Sequence, residues 1–126
     1  MRIVRATQEE TLEILELAHS IVDAIADKQG EDIVLLDLRQ LSPHVDYFIV
    51  CSSTSERQLK AIVDGVTEHT HQQYERKPRR IEGNADSGWV LVDYLDIVIH
   101  IFSMSQRKFY RLEEVWKEAP VVLKMQ

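Results

Sequence analysis

The chain has 126 residues, 15 basic against 21 acidic, which predicts one domain spanning 1–126, with a core from about 7 to 118, that buries roughly two-thirds of its unfolded surface. A net charge of −6 repels phosphate backbones, so nucleic acid is disfavoured as the primary ligand, and a basic protein, or a protein embedded in a nucleic-acid assembly, suits the balance better. The lone Cys51 cannot close an internal disulfide, no apolar run is long enough to span a bilayer, and the opening MRIVR is too short for a targeting signal, so the chain reads as cytoplasmic.

In chain order, Thr7 with Glu10 forms a capping box, and Leu12, Leu15, Ala18, Ile21, Val22 and Ile25 follow at helical spacing until Gly30. Asp32 to Leu38 is a short apolar run that ends at the Ser42-Pro43 turn and reads as a buried strand, and Tyr47 to Cys51 reads as a second. Ser55 with Gln58 is another capping box, opening an amphipathic helix through Leu59, Ile62, Val63 and Val66 that stops before Pro78. Arg79 to Glu82 is a short strand leading into a loop from Gly83 to Gly88.

The segment GWVLVDYLDIVIHIF, Gly88 to Phe102, alternates with period two on both sides of Leu95-Asp96, which predicts a hairpin in which Tyr94 pairs with Ile97. Val92 then faces Ile99 and Val90 faces Ile101, so Val90, Val92, Tyr94, Ile97, Ile99 and Ile101 form a core side. The opposite side collects Trp89, Leu91, Asp93, Val98, His100 and Phe102, a set of aromatics and polar groups that suits a partner better than solvent. Leu95 has no ease at positive φ, so a type I turn or a small bulge competes with a tight primed turn there.

After the hairpin, Ser103 or Ser105 caps a third helix whose Phe109, Leu112, Val115 and Trp116 share a buried stripe, with Tyr110 off that stripe and exposed, until Pro120 ends it. The order α-β-β-α-β-β-β-α predicts a mixed five-stranded sheet of the α/β (α+β) class, with helices mainly on one face and the hairpin's aromatic side on the freer one.

The residues offer little for catalysis. No spacing matches a glycine-rich phosphate loop, and no two acidic residues stand at i and i+2, where a strand would aim both at one metal pair. Asp93 and Asp96, three apart across a turn, point to different sides. Cys51 reads as a small buried side chain rather than a thiolate served by His100, and His69 and His71 are wrongly spaced for a shared zinc and read as solvated. His100 is read either as a hydrogen-bonded core histidine or as part of the partner face beside Trp89 and Asp93. The basic run Arg76, Lys77, Arg79 and Arg80 reads as a solvated helix end that complements the helix dipole, with a peripheral touch on ribosomal RNA as its functional alternative.

DYFIVCSSTSERQ from Asp46 to Gln58, the Glu82-Gly83 step, the Gly88 to Phe102 hairpin and RKFYRLEEVW from Arg107 to Trp116 together resemble the ribosomal silencing factors, the RsfS or Iojap-like family. The resemblance implies a nucleotidyltransferase-like sheet without enzyme activity, catalytic residues, cofactor or metal. It implies binding to ribosomal protein fourteen of the large subunit at the intersubunit face, which blocks joining of the small subunit and represses translation when nutrients are scarce, and a link to large-subunit biogenesis. Carried over by position, the partner surface would hold Trp89, Asp93, Tyr94 and Phe102, with Arg107 and Tyr110 at its edge, although alternation sends Tyr94 to the core side. His100 joins that face by register, and Asp93 and Asp96 would steer the protein toward a basic partner. The chain departs from the family at Ser53 and Leu95, where glycine is usual. Two rival readings are a nucleotidyltransferase-fold enzyme and a self-associating module whose aromatic face makes a homodimer.

Overall fold

A computed structural model describes residues 7–126, the side chain of Thr11 apart; MRIVR lies outside them. The first helix, α1 (Gln8–Asp27), starts where Thr7 Oγ1 accepts the Glu10 N–H at 3.2 Å. Gly30 follows its end because a Cβ there would lie 2.4 Å from the Ile25 side chain. The chain continues through β1 (Glu31–Asp37), β2 (Tyr47–Ser53) and α2 (Glu56–Tyr74), the last capped by Ser55 and closed by Glu75 in a left-handed conformation. Then come β3 (Arg80–Asn84), a 3₁₀ turn at Ala85–Ser87, β4 (Trp89–Asp93), β5 (Ile97–Ser103), α3 (Met104–Tyr110), α4 (Leu112–Val115) and β6 (Val121–Met125).

These strands form one mixed sheet in the order β3-β4-β5-β2-β1-β6, in which β2 and β5 run parallel and every other pair is antiparallel. The sheet has six strands rather than the predicted five. The extra one, β6, follows Pro120 and pairs with β1, so the C-terminal segment closes an edge that the apolar pattern alone left open. Among the described residues, no helix is long and apolar enough to cross a membrane.

The main core lies between α1, α2 and one face of the sheet. Ala18, Ile21, Val22 and Ile25 of α1 and Leu59, Ile62 and Val66 of α2 meet Ile33, Leu35, Ile49, Val92, Ile97 and Ile99. At roughly 2 kcal/mol for each fully buried aliphatic side chain, this layer dominates the stability of the fold. A smaller cluster sits on the opposite face, where Val34, Leu36, Leu38 and Ala119 pack with Phe48 and Trp116. That face is therefore covered in part by the C-terminal segment and otherwise left free, in line with helices mainly on one side.

The third helix also differs from expectation. Ser103 caps it as predicted, its hydroxyl accepting the Gln106 N–H at 3.2 Å, but Arg111 adopts φ 49° and breaks it into α3 and α4. The stripe is lost with the break. Trp116 is half-buried against the sheet, whereas Phe109 is 76 % exposed and Val115 is turned outward as well.

Candidate partner-binding site

The hairpin of β4 and β5 has the register that its alternation predicts: Trp89 opposes Phe102, Val90 Ile101, Leu91 His100, Val92 Ile99 and Asp93 Val98. Tyr94 N–H donates to Ile97 O at 2.9 Å, closing a two-residue turn. Leu95 occupies that turn at φ 79°, so the chain makes the tight reversal and accepts a left-handed leucine instead of relaxing into a type I turn or bulge. Beside the hairpin, Gly83 of β3 passes close enough to Trp89 that a Cβ would stand 2.2 Å from the Trp89 carbonyl oxygen.

On the side away from α1 and α2, the aromatic residues form a connected group. Trp89 stacks on Phe102 with centroids 5.0 Å apart, and Tyr110 of α3 leans on Trp89 at 4.4 Å. Phe109 meets Tyr110 edge-on at 5.1 Å. Phe102 is the fully buried floor, Trp89 is half-buried, and Tyr110 is 44 % exposed. A large apolar surface with a buried floor and open upper rings has the form of a protein-binding anchor. Its spacing places Phe109 in a helix core; the Arg111 break that frees it occurs at a residue carrying no glycine signal.

His100 lies beneath this group. Its Nδ1 accepts the Trp89 indole N–H at 3.2 Å, and its ring packs edge-on against Phe48 at 4.7 Å. Burial pulls its pKa down to about 4, so the imidazole is neutral at pH 7. Nε2 has no hydrogen-bond partner among the described residues. His100 is buried beneath the expected partner face, in the position of a core histidine.

Several other expected contact residues are likewise turned to structural tasks. Tyr94 is buried on the core side, as alternation required and against the carry-over, and its hydroxyl shares a 2.7 Å hydrogen bond with Thr70 of α2. Asp93 is buried at the end of β4; one oxygen accepts the Leu95 N–H at 2.7 Å and the other accepts from Arg79 and Arg80, each at 3.2 Å. Asp96 receives two bonds from Arg76, of 3.1 and 2.9 Å, while the same guanidinium reaches Tyr94 O at 3.0 Å. Three members of the basic run thus lie beyond the end of α2 and bond the carboxylates of the hairpin tip, with Arg79 and Arg80 still largely solvated, as the reading of the run expects. Sequence spacing could not pair them, because the partners lie 13 to 20 residues apart.

Arg107 is mostly buried and ties α3 to the sheet, donating to the Asp32 carbonyl and, at 3.0 Å, to Ser52 Oγ, with Glu113 accepting two further bonds. It holds the segment that carries Tyr110. Phe102 remains part of the site, though as floor. Trp89 and Tyr110 are the residues from the expected surface that are both aromatic and accessible. Ser53 fills its usual glycine position without positive φ, its hydroxyl donating to Phe102 O at 3.2 Å.

Cys51 and His100 lie on opposite faces of the sheet, Cys51 in the helix-side core and His100 among the aromatics. Burial pushes the Cys51 thiol up to about 12, with Arg107 pulling weakly the other way, so no thiolate is available. His69 shares a short hydrogen bond with Ser20 and is half-buried, unlike the exposed His71, so only the latter is solvated as expected. Among the described residues, no group of three or more His, Cys, Asp or Glu side chains could hold a metal ion.

Comparison with known proteins gives this geometry a family. A family model described as "Ribosomal silencing factor during starvation" matches residues 11–126. The ribosomal silencing factor RsfS of Halalkalibacterium halodurans is 36 % identical over 110 residues, covering 87 % of this chain and 91 % of that protein. A mouse protein named "Mitochondrial assembly of ribosomal large subunit protein 1" is 30 % identical over 98 residues, 76 % of this chain and 43 % of its own length. The crystal structure of protein CV0518 from Chromobacterium violaceum superposes with a TM-score of 0.78 at 31 % identity, covering 82 % of this chain and 86 % of that one. On the family match and the identity over most of its length, the chain belongs to the RsfS family of ribosomal silencing factors.

Proposed function

We propose that this protein silences ribosomes by binding the large subunit through ribosomal protein fourteen at the intersubunit face, so that the small subunit cannot join. The observation that carries this reading is the aromatic surface of Trp89 and Tyr110 over the buried Phe102, with Phe109 beside it. An interface of roughly 800 Å² per partner built around such anchors is enough for stable attachment. Occupying a surface needed for subunit joining inhibits without a chemical step. The silencing-factor name of the bacterial relative supports the ribosome as target, and the large-subunit assembly in the mouse relative's name favours that subunit, with a role in its biogenesis beside translational repression.

The site's polar groups agree with a non-catalytic role. Asp93 and Asp96 are each held by arginine, and Cys51 is separated from His100 by the sheet. Attraction to a basic ribosomal protein then comes from the −6 charge of the whole chain more than from those two carboxylates. Such a factor would work in the cytoplasm, where its subunits are.

The test is to mix the pure protein with isolated large and small subunits, follow which it pellets with, and measure subunit joining. Co-sedimentation with large subunits alone and fewer joined ribosomes are expected, and cross-linking should recover ribosomal protein fourteen. Pelleting with small subunits, or unchanged joining at saturation, contradicts the reading.

A further inference from the structure

The indole N–H of Trp89 has one acceptor, Nδ1 of His100, at 3.2 Å. An imidazole nitrogen accepts only when it carries no proton, so this bond places the single proton of neutral His100 on Nε2. Every ring packed on His100 is apolar or aromatic in character: Phe48 from β2, Trp89 from β4 and Phe102 from its own strand, with centroids at 4.7, 5.9 and 6.2 Å. Nε2–H finds no oxygen or nitrogen partner among the described residues. A buried polar ring with one nitrogen unsatisfied destabilises the core relative to an apolar ring of the same shape. Among the described residues, the polar atom that His100 engages is the indole nitrogen of the central surface aromatic.

We propose that His100 is the positioning residue for the Trp89 anchor: by accepting the indole N–H from below, it fixes the orientation in which Trp89 stacks on Phe102 and presents its other face, beside Tyr110, to the partner. Without that acceptor the half-buried indole can rotate about its side-chain torsions, and binding must then order it. His100 never touches the partner. This inference rests on Trp89 being an anchor of the ribosome-binding surface proposed above.

Two substitutions separate positioning from packing. His100→Phe keeps a ring but removes the acceptor, whereas His100→Asn places an amide oxygen near the position of Nδ1. His100→Phe should weaken attachment to large subunits about five-fold, the loss of one buried hydrogen bond, and His100→Asn should restore most of it. Nitrogen NMR on the free wild-type protein should show a single imidazole tautomer protonated on Nε2 and a coupling across the bond to the Trp89 indole nitrogen. Should either variant fail to fold, this spectrum still decides: a mixture of tautomers with no coupling overturns the proposal. So does a folded His100→Phe that binds like wild type while Trp89→Ala does not. If Trp89→Ala itself binds normally, the anchor reading fails instead, while the tautomer and coupling still report on the positioning contact.

Discussion

Asp93 Oδ1 accepts the backbone N–H of Leu95 at 2.7 Å and so holds the hairpin turn in a left-handed conformation, φ 79°, that leucine resists. A non-glycine residue in that region costs roughly 1–2 kcal/mol. The Leu95 side chain is itself mostly exposed, so little burial offsets the strain.

Leu95→Gly should therefore stabilise the protein by about 1 kcal/mol, since the strain relieved exceeds the chain entropy that glycine adds to the unfolded state. Urea unfolding measures this directly. A lower midpoint for the glycine variant at unchanged slope would show that the turn is not strained.

Removing the other partner should act in the opposite direction. Asp93→Ala leaves the Leu95 N–H without its acceptor and releases both Arg79 and Arg80, and a cost of about 2 kcal/mol is expected. Asp93→Asn should be milder, because it keeps an oxygen for the turn. Equal stability of the alanine variant and wild type would sink this account.

Stability should also depend on pH through His100. Well above about pH 6.5 the imidazole is neutral whether the chain is folded or not, and the folded state has its full stability. Between that value and the buried group's pKa of about 4, the unfolded chain takes up a proton that the folded one refuses. Stability should fall by up to roughly 3 kcal/mol across this window as pH drops, then level off with respect to this group. Unfolding midpoints measured from pH 7 to pH 4 should show the decline, and His100→Phe should flatten it. An identical slope in the variant would assign the effect elsewhere.

On the surface, Trp89→Ala should weaken attachment to large subunits by about 2 kcal/mol or more, as loss of a central aromatic anchor does. Tyr110→Ala should act in the same direction, being accessible and packed on Trp89. Tyr94→Phe should leave attachment unchanged and cost only stability, about 1 kcal/mol, through the Thr70 hydrogen bond. Quantitative co-sedimentation paired with unfolding curves distinguishes the two classes, and a binding defect in Tyr94→Phe would restore that residue to the surface.

What the sequence determined by itself is local or periodic. Alternation around Leu95-Asp96 set the hairpin register to the residue, because a slip by one would have moved Val90, Val92 and Ile99 out of the core. Thr7, Ser55 and Ser103 marked their helix starts through hydroxyls that reach backbone N–H groups three residues on. Only the tertiary structure decided which face residues stay accessible. The left-handed Arg111 swings the C-terminal segment across the sheet, β6 docks on β1, and Arg107 fastens the segment, so that Phe102 and His100 become floor and support while Tyr110 comes up beside Trp89. Likewise Asp93 and Asp96 look free in sequence, and their arginines reach them only once α2 and β3 fold back beside the hairpin. Periodicity assigns a side chain to a face; what then covers that face is settled by contacts between segments distant in the chain, which no local pattern encodes.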